Sequence, residues 1–367
     1  MKNPLGTRPT PLLALAFVLG STASLALAAP GGHQYPYEDY YEDKRSFPEE
    51  ELPAHIEPLT DVGERFDLSH DGERLLYVTR QGGEIEEYDI TTGETTRVSD
   101  WDHPDSHGFY RALYLANGDI LIAAGTGRRE CLFYVLDKER EGPPVLIPEP
   151  LWEGPAVSRT SMEVAWTPNH HQVFVAKIGY DEDGAPRLEN KRLLFTTNDS
   201  VRHVPEFDFD RKSYIEPQNF VPGAGAEHEL VYTHYAGNPY TAETMKFNAE
   251  TGEFTHLTPG EIWGEAEGVF PDGQWTTQDH SDVYIVRTDG SGEQHRIVHF
   301  SGEDGNGKIK SSDAIVSDDG RWLYFQESHQ GGLPGDGYGV YRMDLHVAMK
   351  DLGLEVPVSA FPTRDEE

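Results

Sequence analysis

One turn recurs along this chain at a nearly constant interval. Asp71-Gly72, Asn117-Gly118, Asp272-Gly273 and Asp319-Gly320 each separate two short apolar runs. The glycine-to-glycine steps are 118 − 72 = 46 and 320 − 273 = 47. Glycine takes positive φ without a Cβ clash, so each pair reads as a hairpin turn. In the first unit, Leu75 to Val78 is a short apolar run, as in a strand buried on both faces. Glu84 to Ile90 and Thr91 to Val98 supply two more strands around a second turn at Thr92-Gly93. The step from Gly118 to Gly273, 273 − 118 = 155, leaves room for two further units. Val164 to Ala176, with Asn169-His170 in the turn slot, reads as one, and Gly223 to Thr233 as the other.

A period near 47 residues with four short strands per unit predicts a β-propeller. The expected fold is all-β, with six four-stranded antiparallel blades and seven as the alternative. A single unit cannot bury both faces of its sheet, whereas a ring of units can. The last unit, Ser312 to Leu345, supplies only three strands. The pattern of Thr255-His-Leu-Thr-Pro259 returns at His55-Ile-Glu-Pro-Leu59. A strand near Ala54 to Leu59 is therefore expected to complete the last blade and cover its open edge.

Around this ring the expected organisation is a signal peptide over 1–28, an acidic arm over 29–53, the propeller over 54–350 and a tail over 351–367. Lys2 and Arg8 precede an apolar run from Leu12 to Leu27, and Ala26-Leu-Ala28 offers a cleavage site. The run is short and contains Gly20, Ser21, Thr22 and Ser24, which favours export over a membrane anchor. The chain is therefore expected in the periplasm or secreted, with no membrane span after cleavage. The arm sets Tyr35, Tyr37, Tyr40 and Tyr41 among acids and has almost no aliphatic residues. It reads as disordered or loosely docked, with a partner-binding role as the functional alternative.

Thirty Lys and Arg against 64 Asp and Glu give a net charge of −34. Such a charge repels phosphate backbones and argues against nucleic acid and anionic membranes. Cys131, the one cysteine, lies in an apolar run and reads as a buried structural thiol rather than a nucleophile.

Leu68 to Tyr77 and Val316 to Phe325 resemble the S-P-D-G-(K/R) repeats of TolB-like propellers, and Phe270-Pro-Asp-Gly273 is a variant. Tyr88-Asp-Ile90 and Tyr341-Arg-Met-Asp-Leu345 are similar to the outer part of that repeat. The resemblance covers about Asp61 to Leu345 and implies an exported propeller that docks partners. The N-terminal domain of TolB has no counterpart in the stretch before Leu59. Oligogalacturonate lyases carry a similar repeat and bind a metal through His and Gln. The matching segment here, Lys310 to Ala314, has neither residue, so that metal site is not carried over. Propeller-bearing peptidases of the prolyl-oligopeptidase type also share the repeat, but no G-x-S-x-G elbow occurs in this sequence.

Loops entering the innermost strands of a propeller converge on its channel, so polar residues there are site candidates. By register these are His103, His107, Glu163, His228, Glu265, Glu267, Asp279, His280 and Asp313. Histidines beside carboxylates can hold a divalent cation, for which His107, His228 and His280 are the candidates, or exchange protons. They can equally hydrogen-bond strand ends. Tyr180-Asp-Glu-Asp-Gly184 has part of a calcium-loop pattern and also reads as a solvated turn. Two functions follow: a monomeric propeller binding a protein or carbohydrate partner at its channel mouth, or a metal-assisted polysaccharide lyase or hydrolase working inside the channel.

Overall fold

The computed structural model describes residues 52–99, 108–140, 142–203, 213–222, 228–236, 241–258, 264–280, 282–300, 309–329 and 337–358. The expected signal peptide and nearly all of the acidic arm lie outside these residues, as do Gly223 to Glu227.

Six four-stranded antiparallel sheets form a ring. After β1 (Ile56–Pro58), the first blade holds β2 (Glu64–Leu68), β3 (Arg74–Val78), β4 (Ile85–Asp89) and β5 (Thr95–Arg97). The second is β6 (Phe109–Tyr114), β7 (Ile120–Gly125), β8 (Cys131–Leu136) and β9 (Val145–Leu151). The third is β10 (Ala156–Val157), β11 (Glu163–Trp166), β12 (Gln172–Tyr180) and β13 (Pro186–Thr196). The fourth is β14 (Tyr214–Phe220), β15 (Glu229–Ala236), β16 (Thr241–Asn248) and β17 (Glu253–His256). The fifth is β18 (Glu265–Val269), β19 (Trp275–Asp279), β20 (Val283–Arg287) and β21 (Gln294–Arg296). The sixth takes β22 (Ile309–Val316), β23 (Trp322–His329) and β24 (Gly337–Asp344) from the C-terminal end and β1 (Ile56–Pro58) from the N-terminal end. A short helix α1 (Thr197–Ser200) follows the third blade, and α2 (Leu345–Asp351) follows the sixth.

The recurring turn has a local cause. In the first blade Ser69 Oγ donates to Asp71 Oδ1 at 2.5 Å and accepts from Arg74 N at 3.0 Å. In the sixth, Ser317 and Asp319 repeat this at 2.5 Å, with Trp322 N donating to Ser317 Oγ at 2.9 Å. Gly72 and Gly320 sit at φ +69° and +73°, the conformation such a turn requires.

One register differs from the sequence-based expectation. Asn169-His170 joins the second and third strands of its blade, not the first and second. The first strand is the two-residue β10, and its turn runs through Arg159 to Met162 with no Asp-Gly pair. Arg192 to Thr196 accordingly lies in the fourth strand. Two alternating apolar runs around a polar turn look alike in sequence whichever pair of strands they form.

Closure occurs where it was expected. β1 pairs with β24 antiparallel, with Ile56 opposite Met343 and Pro58 opposite Tyr341. Beyond the strand, Leu59 N donates to Val340 O at 2.8 Å, and Val340 N donates to Thr60 Oγ1 at 3.0 Å. Ile56 is buried with Phe325, Tyr341 and Met343 in a core that runs between blades five and six. Asp344 caps α2, accepting from His346 N at 3.1 Å, and the helix lays Ala348 and Met349 on the same core.

Gly339 marks the tightest point of this closure. Its φ is +127°, and a Cβ there would lie 2.2 Å from Thr60 O. Gly339→Ala should push Thr60 off the edge of blade six and cost more than about 1 kcal/mol. The check is a lower urea midpoint at unchanged slope; an unaltered midpoint would mean that the closure tolerates the displacement.

Candidate functional site

The innermost strands of the six blades surround the channel. Five of them carry a β-bulge: β2 between Glu64 and Asp67, β6 between Phe109 and Arg111, β14 between Pro217 and Asn219, β18 between Ala266 and Val269, and β22 between Ser312 and Ile315. A bulge re-aims side chains out of the strand's alternation. Arg65 and Asp313, both within these bulges, take φ of +49° and +51°, an uncommon conformation for a non-glycine residue.

Three arginines cross the channel. Arg65 of blade one reaches Glu153, in the segment entering blade three, at 3.1 Å, and Arg128 pairs with the same carboxylate. Arg111 of blade two points at Glu267 of blade five, 3.8 Å away, and at Asp313 of blade six, 3.9 Å away. Arg159, from the turn after β10, grips Asp318 of blade six through two nitrogens at 3.1 and 3.0 Å and donates to Leu68 O of blade one at 2.9 Å. In a six-membered ring, blades two and five face each other, as do three and six. Arg111 and Arg159 therefore act as diametric struts. Arg159 lies at the base, the end where each first strand turns into the second.

Polar groups fill the space between the struts. Gln326 Nε2 donates to Asp313 at 2.5 Å, and its Oε1 accepts from Arg65 N at 3.2 Å. Asp313 N donates to Asp279 Oδ2 at 2.9 Å. Tyr235 donates to Glu265 and lies 3.4 Å from Glu216 Oε2. The remaining cavity, lined by Arg111, Gln218, Glu267 and Asp313 among others, is about 70 Å³. Clefts that bury a drug-sized ligand run from roughly 300 to 1,000 Å³.

The charge is divided unevenly: Arg65, Arg111 and Arg159 come from blades one to three, and Glu216, Glu265, Glu267, Asp279 and Asp313 cluster on blades four to six. Burial pushes the Glu153 carboxyl up, but Arg65 and Arg128 outweigh it and hold the group down at about 2. Burial, then the Glu153 and Glu265 charges, push Glu216 up to about 8. Burial, with Asp313 and Asp279 beside it, holds Glu267 well above the usual carboxylate range. Its contact with Arg111 does not reverse this, because 3.8 Å is an ion-pair distance without a hydrogen bond. Glu216 and Glu267 are thus neutral acids at moderate pH.

Of the nine sequence-derived candidates, Glu265, Glu267, Asp279 and Asp313 meet in this network. His280 follows Asp279, is exposed, and packs edge-on against Tyr284 at 5.5 Å. His228 lies at the opposite end of the ring, 3.6 Å from Glu250 in the base turn of blade four. Glu163 begins β11, beside the base turn of blade three, and its placement follows from the shifted register of that blade. His103 and His107 lie outside the described residues. Of the three proposed metal-binding histidines, His228 and His280 are therefore not brought together, and His107 lies outside the described residues. Among the described residues, no group of three or more His, Cys, Asp or Glu side chains could hold an ion. Asp181 caps its own turn, accepting from Asp183 N and Ala185 N at 3.0 and 2.9 Å, as a solvated turn does. Cys131 is buried, and burial pushes its thiol up to about 12, so it is inert at neutral pH.

Sequence reasoning missed the arginines, Glu153 and Glu216. A signal existed for some: Arg65 and Arg111 are 111 − 65 = 46 residues apart, and Glu267 and Asp313 are 313 − 267 = 46 apart. That step is close to the blade period: Arg65, Arg111 and Asp313 lie seven residues ahead of their turn glycines (72 − 65, 118 − 111, 320 − 313) and Glu267 lies six ahead (273 − 267).

Two outcomes test the network. A carboxyl raised in the folded state is stabilising below its unfolded value, 4.5, and that stability is lost as pH rises through about 8. Glu216→Gln keeps the neutral form, so its melting temperature should gain on the wild type as pH goes from about 5 to about 8. A constant difference would mean that Glu216 does not titrate in that window. Arg159→Ala leaves the largely buried Asp318 without its strut and should cost about 3 kcal/mol in chemical denaturation.

No family model matches the sequence, and no curated protein matches it. Solved structures similar to this fold include an oligogalacturonate lyase in complex with manganese, 17% identical, covering 78% of both chains with a TM-score of 0.47. A gluconolactonase from Xanthomonas campestris is 13% identical over 79% of this chain and 89% of its own, with a TM-score of 0.49. TolB from Acinetobacter baumannii is 12% identical over 75% of this chain and 64% of its own, with a TM-score of 0.45. The assignment of six blades rests on the sheet topology of this chain itself.

Proposed function

We propose that this chain is an exported propeller that binds a protein partner at the entrance mouth of its channel. The observation that carries this reading is the channel interior. Its charged groups are engaged with one another across the ring, and the space they leave is about 70 Å³. An interior of that kind braces the ring and leaves recognition to the rim.

The rim at blades two to four has the composition of a protein interface. Arg129 lies over the Trp152 ring at 4.7 Å, and His170 stacks on Trp152 at 3.7 Å. His171 stacks on Tyr214 at 5.6 Å. Trp, Tyr and Arg are the residue types that dominate binding energy at protein interfaces. With a net charge of −34, the partner is expected to be basic. The export signal expected at 1–28 supports an encounter in the periplasm or outside the cell.

One observation favours a second reading, catalysis in the channel. Glu153 and Glu216 are adjacent carboxyls driven to about 2 and about 8, a separation that suits paired base and acid roles.

The two readings separate in a capture experiment with the mature protein as bait in a periplasmic extract, followed by affinity measurement with the purified partner. Arg129→Glu should weaken the complex by roughly tenfold or more, while Glu216→Gln leaves it unchanged. Retention of a glycan in place of a protein would replace the partner class. Loss of function in Glu216→Gln alone would favour catalysis.

A further inference from the structure

The larger cavity lies away from the channel. A cleft of about 490 Å³ opens between blades three and four, lined by His171, Gln172, Thr196, Asn198, Val201 and Ser213, with Thr197 beside them. Its size falls within the roughly 300–1,000 Å³ of small-molecule sites.

One wall of this cleft carries an ordered chain of polar groups. Ser213 Oγ meets Nε2 of His234 in a hydrogen bond. On its other side, Nδ1 of His234 lies 2.7 Å from Ser200 Oγ. Ser200 Oγ in turn lies 2.5 Å from the Tyr232 hydroxyl. His234, Ser200 and Tyr232 are fully buried, whereas Ser213 lines the open cleft. The arrangement comes from separate elements: Ser200 ends α1, Ser213 precedes β14, and His234 and Tyr232 lie on β15. The phenol of Tyr232 stays protonated because burial raises its pKa.

In the tautomer that serves the cleft, Ser213 donates to Nε2, while Nδ1–H and the Tyr232 hydroxyl both donate to Ser200 Oγ. A hydroxyl on a cleft wall, a histidine acceptor behind it, and a third group fixing that histidine's tautomer are the parts of an activated nucleophile. Burial, with His256 nearby, holds His234 down at about 4, so the imidazole is neutral and free to accept.

We propose that Ser213 is a nucleophile served by His234, and that this cleft is an acyl-transfer site, separate from the channel, for small esters with good leaving groups. Ser213 Oγ forms a bond to the acyl carbon as its proton passes to Nε2. The ester C–O bond breaks, and the departing alkoxide takes that proton. Water then reverses the sequence, giving the carboxylic acid and free Ser213. Asn198 and Gln172 carry side-chain amides on the same cleft, the groups that can donate to the developing oxyanion. The restriction to good leaving groups follows from Ser200: it orients His234 but brings no negative charge to stabilise an imidazolium.

The test is labelling of the full chain by a fluorophosphonate probe, in which Oγ–P forms, P–F breaks and the serine proton leaves with fluoride. The expected result is one phosphonylated peptide, mapped by mass spectrometry to Ser213. Labelling should vanish in Ser213→Ala and slow by roughly a hundredfold in His234→Gln. Ser213 is only partly buried, so Ser213→Ala should melt like the wild type, and that is measured in parallel. Should His234→Gln fail to fold, Ser213→Ala alone decides. No phosphonylation of the wild type, or labelling that persists in Ser213→Ala, would overturn the proposal.

Discussion

Everything in this molecule depends on a three-residue pairing. β1 against β24 is short, yet it converts five complete sheets and one three-stranded sheet into a closed ring. Without it, blade six would present an unpaired edge along β24 and the core beneath Ile56 would be open on one side. Backbone hydrogen bonds from Leu59 and to Thr60 extend the pairing past the strand itself. The positive φ of Gly339 lets the two segments approach closely enough for this.

A closed ring still has a hole, and the chain fills it with charge rather than with apolar side chains. The bulges of the innermost strands break their alternation at a common level and let long polar side chains face the axis. Arginine suits the role because its length spans the gap and its fork takes two acceptors at once, as Arg159 does on Asp318. Removing such charges from water is costly, and only mutual pairing offsets it. Where pairing runs short, at Glu216 and Glu267, the carboxyls hold their protons instead.

The fold was readable because its cause is local. Ser69-His-Asp-Gly72 and Ser317-Asp-Asp-Gly320 make their own turns by side-chain hydrogen bonds, whatever surrounds them. Blade three was misread where that chemistry is missing: β10 has two residues and its turn carries no Asp-Gly. The channel was readable in part. Glu265, Glu267, Asp279 and Asp313 were found because loops entering inner strands are a topological address. The arginines were not, because which charge faces which is decided across the ring, by residues such as Arg111 and Glu267 that are far apart in sequence. Ser213 and His234 were equally silent as a pair, since they meet only once β14 pairs with β15.

The closing blade also fixes how the molecule would respond to force. β1 enters and β24 leaves the same sheet, side by side and antiparallel, and Leu52 packs on the same core as Leu354 and Val356. Tension applied between the two ends of the propeller therefore falls on one seam and bypasses the other five blades. The load reaches Ile56 and Met343 first, while the Arg159 strut meets this blade at Asp318, in the turn between β22 and β23 and away from the β1–β24 seam. The molecule would part like a clasp, opening at its seam before any blade unravels.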